Sequence, residues 1–221
     1  QRQMCIRDRF FDMKNNMPTD VYEYNEAVYQ DHVLVPYHLI ETSTKITDDG
    51  LTYEKLDEEE REQYEDEFCE DDGLVDHIPP EKINTYIFNR DTVDIMISDL
   101  MNHGIKHKNG NHVGKTIIFA QNKRHAKYII ERFDVLYPQY KGAFCKLVVC
   151  DEPYAEKNLE DFKKPDEYPF ITVTVDMLET GVDVPEITNL VFAKKVYSRI
   201  KFEQMIGRGT RLCENLFGEG R

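Results

Sequence analysis

From residue 116 onward the chain alternates short, almost wholly apolar runs with amphipathic stretches. The apolar runs are TIIFA (116–120), CKLVVC (145–150), FITVTV (170–175) and NLVFA (189–193). Between and after them lie KRHAKYIIERFDVLY, YAEKNLEDFKK and SRIKFEQMIGRGTRL, each with helical spacing of its apolar residues or opening as a helix. Strands without an apolar–polar alternation must be covered on both faces. Repeated strand–helix units that meet this demand build a parallel sheet with helices on both sides. The chain is therefore predicted to be α/β. Its 221 residues suffice for one such domain and a smaller appendage.

Upstream of this region the pattern is weaker. Apolar residues at mixed three- and four-residue spacings (Ile83, Ile87, Val93, Ile97, Leu100 and Met101) predict a long amphipathic helix over 81–101, with Gly104 suited to its end. Val33, Val35, Tyr37 and Leu39 alternate as in a strand, interrupted by Pro36. Residues 56–72, LDEEEREQYEDEFCEDD, read as a solvated polar helix or flexible acidic insert. The first nine residues resemble translated sequencing adapter and are set aside as a non-native tail, so the natural protein is expected to continue upstream. The expected division is thus a tail at 1–9, a connection with an acidic insert at 10–78, and an α/β domain at 79–221.

Charge is concentrated rather than spread. The formal net charge is −14, yet residues 41–76 alone carry 16 acidic against 3 basic residues, or −13. The remainder is close to neutral, so a polyanionic partner is not excluded. Residues 190–211 hold Lys194, Lys195, Arg199, Lys201, Arg208 and Arg211 against Glu203 alone. That local basic stripe suits phosphate. No apolar run approaches the ~20 residues of a membrane span. The five cysteines show no metal-binding spacing and read as reduced thiols of a cytosolic protein. His103, His107 and His112 lie in NHGIKHKNGNH, which reads as a solvated loop, so no metal site is expected.

GNHVGKT (110–116) imitates the end of a phosphate-binding P-loop. Only three residues separate its glycines where that loop needs four, and it leads into a strand rather than opening a helix. Helical N–H groups could not face phosphate there. Lys115 then reads as a polar residue where a strand begins.

Two other stretches carry more chemistry. QMIGRGTRL (204–212) sets Arg208 and Arg211 three apart among small residues, after a buried strand and near the region where α/β sheets bind ligands. If the spacing is helical, Gln204, Arg208 and Arg211 share one face. The structural alternative is a basic helix terminus whose arginines cap carbonyls. TVDMLETGVDVPEI (174–187) places Thr180 and Gly181 beside Asp183. It reads either as an ordinary loop with a glycine turn or as hydroxyl and backbone contact to phosphate, with a carboxylate for a sugar hydroxyl.

Taken together, these stretches resemble the second RecA-like domain of superfamily 2 helicases and translocases. KTIIFAQNKRHA looks like motif IV, TVDMLETGVDVP like motif V and QMIGRGTRL like motif VI. YEYNEAVYQDHVLVPY, INTYIFNRDTVDIMISDLM, GKTIIFAQNKRHAKYI and FEQMIGRGTRLC are similar to the motor region of the R subunit of type I restriction enzymes. The resemblance implies a RecA-like parallel sheet of the P-loop NTPase fold, a second motor domain without its own P-loop. It implies Arg211 as an arginine finger on ATP held by the first RecA-like domain, Arg208 in support, and Gln204 holding the water or γ-phosphate geometry. Gly181, Asp183 and Gly207 match nucleotide-binding positions. Asn122, Lys123 and Thr180 match positions along the nucleic-acid backbone. Val175 stands where many relatives have a phosphate-contacting threonine, so that contact is not carried over.

The same resemblance implies ATP and Mg2+ as cofactors, bound mainly by the first RecA-like domain, and double-stranded DNA as substrate. Implied partners are that first domain, a nuclease domain of the same parent chain, and methylation and specificity subunits, in the cytoplasm of a prokaryote. No Walker A segment or DEAD-like acidic box is legible, so these residues alone are expected not to hydrolyse ATP. Two alternatives stay open: another superfamily 2 helicase, from type III restriction or DNA repair, and a non-catalytic nucleic-acid-binding module that keeps the fold.

Overall fold

A computed structural model describes residues 24–40, 51–52, 61, 77–78, 89–149, 152–175, 184–214 and 216–217. The expectations for residues 1–9 and, apart from helical Arg61, for 56–72 lie outside the described residues. The chain divides into two compact units, Gln1–Pro36 and Tyr37–Arg221.

In the first unit, helix α1 (Tyr24–Tyr29) buries Ala27 and Val28. The strand expected over 33–39 does not form, and Leu34 makes only a single bridge. His32 turns the chain at φ 53°. The amides of Val33 and Leu34 then donate back to the Ala27 carbonyl at 2.9 and 3.3 Å. The Tyr24 hydroxyl donates to the Val35 carbonyl at 2.8 Å. Backbone groups that a ladder would need are consumed locally.

In the second unit, β1 (Leu51–Thr52) pairs antiparallel with β2 (His77–Ile78). The main sheet has four parallel strands: β3 (Lys115–Ala120), β4 (Cys145–Leu147), β5 (Ile171–Thr174) and β6 (Ile187–Ala193), in the order β4-β5-β3-β6. Helices α2 (Arg90–His103) and α3 (Lys123–Leu136) cover one face. There Val93, Ile97, Ala126, Ile129 and Phe133 pack on Ile118 and Val173. Helices α4 (Ala155–Phe162) and α5 (Arg199–Ile206) serve the other, where Phe162 and Met205 join Ile117 and Phe119. The central strands β3 and β5 are buried along their whole length. This two-faced burial is what their continuous apolar composition requires.

Of the helix expected over 81–101, residues 81–88 lie outside the described residues, and α2 itself begins at Arg90. Asn89 before it is extended, and its side-chain oxygen accepts from the Thr92 amide and hydroxyl, each at 2.8 Å. A capped amide marks a true helix start. Arg132 of α3 forks onto Asp94 of α2 through two bonds of 2.8 and 2.7 Å and ties the pair together. Asn189 of β6 exchanges hydrogen bonds with the backbone of Ile105, at 2.7 and 3.0 Å, and so fixes the exit from α2.

The loop expected to be solvated is exposed at His103 and over 108–111, but His107 and His112 are packed. His107 stacks on His112 at 5.0 Å and its Nε2 lies 2.8 Å from Asp166. His112 in turn rests 4.2 Å from the Phe170 ring. Gly114 has a packing role, since a Cβ there would overlap the Thr188 hydroxyl. Lys115 does open a strand, but it is only 2% exposed. Its ammonium donates to the carbonyls of Glu167 and Pro169, both at 2.8 Å, and burial lowers its pKa to about 8.

Candidate nucleotide and nucleic-acid site

In a parallel sheet all strands end on one side, so the loops after them gather along one edge. Here that carboxyl edge carries Asn122 after β3, Glu152 after β4, Val175 after β5 and Lys194 after β6. Asn122 caps α3, its side chain accepting from the His125 amide at 2.8 Å. His125 is itself buried and its Nδ1 accepts from the Gln121 amide at 3.3 Å. Burial lowers its pKa to about 4, so the ring is neutral at pH 7. The turn out of β3 is therefore a locked structure, and part of Asn122 is committed to it.

Lys123 follows and forms an ion pair with Glu152 at 2.9 Å. Lys127, one helical turn on, reaches the same carboxylate oxygen at 2.9 Å. Their hydrogen bonds hold the Glu152 carboxyl below the ordinary carboxylate range. Lys194 donates to the Val175 carbonyl at 2.8 Å and so spans the strand between β5 and β6. Lys194 belongs to the basic stripe of 190–211, but neither Lys127 nor Glu152 stands out in sequence, although the one-turn spacing of Lys123 and Lys127 is a signal that could have found Lys127.

The arginine stretch lies elsewhere. Ser198 caps α5 through the Lys201 amide at 3.3 Å, and the helix then runs back along the sheet from the carboxyl edge. It stops at Ile206, so Gln204, Arg208 and Arg211 do not share a helical face as their spacing suggested. The amides of Arg208 and Gly209 donate three residues back, to Met205 and Ile206, at 3.1 and 2.9 Å. Gly207 and Gly209 favour this break because glycine is costly in a helix. Gly209 lies so close to β6 that a Cβ would come within 3.1 Å of the Leu190 side chain. Arg208 and Arg211 leave this turn half-buried on either side of fully buried Thr210, while Gln204 is exposed and Gly207 partly so. The stretch thus sits on the flank of β6, not at the carboxyl edge. Thr180, Gly181 and Asp183 lie outside the described residues.

A cavity of about 160 Å³ opens at the opposite, amino-terminal end of the strands, lined by Lys115, Phe170, Glu186 and Cys213 among others. Among the described residues no cluster of three or more His, Cys, Asp or Glu could hold a metal ion. Among them, too, no helix is long and apolar enough to cross a membrane.

A parallel sheet covered on both faces, with arginines issuing from a glycine turn against its edge strand, defines a RecA-like α/β domain. The chain belongs to the helicase conserved C-terminal domain family, which matches residues 92–213. It is similar to the type I restriction enzyme EcoKI endonuclease subunit of Escherichia coli (strain K12), with 43% identity over 107 residues, 45% of this chain and 9% of that protein. It is also similar to the EcoAI endonuclease subunit of Escherichia coli, with 31% identity over 111 residues, 48% of this chain and 14% of that protein. Among solved structures, a fragment described as an HsdR subunit of a type I restriction enzyme from Vibrio vulnificus YJ016 matches with TM-score 0.50 and 28% identity. That match covers 59% of this chain and 26% of the other. The chain therefore spans only a small part of the length of the relatives it matches.

Proposed function

We propose that the chain is the second motor domain of an ATP-dependent translocase of double-stranded DNA, within an R subunit of the type I restriction kind. The observation that carries this is the arginine pair on a turn anchored to β6, inside the segment matched by the helicase family. ATP with Mg2+, held mainly on the first RecA-like domain, supplies the free energy of the cycle. Arg211 is the finger directed at the γ-phosphate, Arg208 supports it and Gln204 holds the geometry of the water or the γ-phosphate. Negative charge grows on the phosphoryl oxygens in the transition state, and a fixed guanidinium stabilises it more than it stabilises the ground state. Such a finger is typically worth roughly 10³–10⁵ in rate.

Gly207, Gly181 and Asp183 border the nucleotide, the last two near its ribose. Asn122, Lys123 and Thr180 follow the DNA backbone, a contact that is sequence-independent and salt-sensitive. Sequence choice then belongs to a specificity subunit, acting with methylation subunits and a nuclease domain of the parent chain, all in the cytoplasm of a prokaryote. The domain comprises residues 79–221, preceded by the connection and acidic insert of 10–78.

The test is the DNA-stimulated ATPase of the parent polypeptide with and without Arg211→Ala. A loss of about a thousandfold is expected, and the 221-residue chain alone is expected to show no turnover. An intact motor indifferent to Arg211 would overturn the finger assignment and favour a structural role for both arginines.

A further inference from the structure

Glu152 sits at the carboxyl edge with its backbone fixed on both sides. Its amide donates to the Val149 carbonyl at 3.3 Å and its carbonyl accepts from the Ala155 amide at 3.1 Å. This delivers one carboxylate oxygen, Oε1, to the ammoniums of both Lys123 and Lys127, each at 2.9 Å. The acid is the more enclosed partner: its side chain is 21% exposed against 42% and 50% for the lysines. Two cations thus share one anion, leaving a surplus positive charge. They do so at the positive end of the 14-residue helix α3. Exposed ion pairs of this kind contribute little to stability. An arrangement that gains little for the fold, leaves a net charge and keeps both ammoniums open to solvent suits an exchangeable anion.

We propose that Lys123 and Lys127 form a phosphodiester-binding site on this edge and that Glu152 is its built-in competitor, occupying the two ammoniums until a nucleic-acid phosphate replaces it. This rests on the DNA-translocase reading and adds to it a second lysine and a resident counter-anion. The site has two states. Without DNA the carboxylate neutralises the lysines in part. With DNA a phosphate takes the ammoniums, and the Glu152 carboxylate is released to water. Displacement of Glu152 opposes binding, so the edge grips weakly and lets go readily, as a domain that repeatedly regrips a backbone requires.

The experiment is fluorescence anisotropy of the 221-residue chain on a short labelled duplex across a salt series. Glu152→Gln removes the competitor at nearly constant size. Asp166→Asn is the control: it also removes one negative charge from a lysine-paired acid, at Lys108, beside the amino-terminal cavity. Glu152→Gln is expected to tighten binding roughly two- to fivefold, the factor an exposed ion pair commands. It should also steepen the logarithmic salt dependence by at most about one, since a single carboxylate no longer competes with phosphate. Asp166→Asn should leave the slope unchanged. With Lys123→Met and Lys127→Met together, binding should weaken and no longer respond to residue 152. Equal responses to Glu152→Gln and Asp166→Asn, or none to either, would overturn the competitor while leaving DNA binding intact. If no variant binds duplex at low salt, the DNA-backbone reading and this inference fall together.

Discussion

The ammonium of Lys194, just past β6, donates to the carbonyl oxygen of Val175, just past β5, at 2.8 Å across the strand between them. It is a side-chain clasp on the edge where neighbouring strands have already parted. Lys194→Met should release it. Amide exchange in the peptide over residues 171–175 should rise several-fold while global stability falls by only about 1 kcal/mol, the usual net worth of one hydrogen bond. Hydrogen–deuterium exchange with mass spectrometry reads the first, and urea denaturation the second. Unchanged exchange would mean that the strand end is held by other contacts.

His125 predicts an acid sensitivity. Its folded pKa, about 4, lies below the ordinary histidine value of 6.5 because burial disfavours the charged ring. As pH falls through 6.5 the unfolded chain takes up a proton that the folded chain refuses. Stability is therefore full above about pH 6.5 and declines towards pH 4, by on the order of 3 kcal/mol in all. His125→Leu should be less stable at pH 7 yet show a flatter profile between pH 6.5 and 4. Parallel profiles for both chains in urea titrations would assign the loss to other groups.

Arg132 and Asp94 form a two-point fork between α3 and α2 with side chains 17% and 24% exposed. Planar, charge-assisted geometry makes such a pair stronger than an ordinary surface bridge. Arg132→Ala and Asp94→Ala should each cost about 1–2 kcal/mol. A double-mutant cycle should return a coupling of about 1 kcal/mol. Strict additivity would show the two helices to be held by their apolar contacts alone.

Gly114 and Thr188 should behave as a coupled pair. Gly114→Ala places a methyl on the Thr188 hydroxyl and should cost about 1–3 kcal/mol, as overpacking does. Adding Thr188→Ala removes the obstructing oxygen and should recover much of the loss. Calorimetric melting of the two single variants and the double variant decides the point. A double variant worse than either single one would place the strain in the backbone.

These pairs also show where sequence reasoning stops. The β3 and β5 segments, and the helices that cover them, were legible because a strand buried on both faces must be apolar throughout, and no distant information is needed to see it; β6 was legible from the same apolar run although only its Ile187 is buried. The end of α5 was not. Helical spacing continued through Arg208 and Arg211, while Gly207 and Gly209 ended the helix at Ile206. Lys115 read as a polar residue where a strand begins, and it does begin one. Its burial depends on the carbonyls of Glu167 and Pro169, more than fifty positions away. Glu152 was invisible for the same reason: nothing beside it in the chain announces two lysines from another helix. The alternation over 33–39 misled because His32 turns the backbone and spends its amides on α1.

The close seat of Gly209 on Leu190 has a mechanical consequence. Arg208 and Arg211 take their aim from an edge strand rather than from the helix that precedes them. The exposed surface of α5, including Lys201 and Glu203, can therefore drift in sequence without misdirecting either guanidinium. Any tilt of the sheet, in contrast, moves both at once, as teeth cut into the rim of one gear.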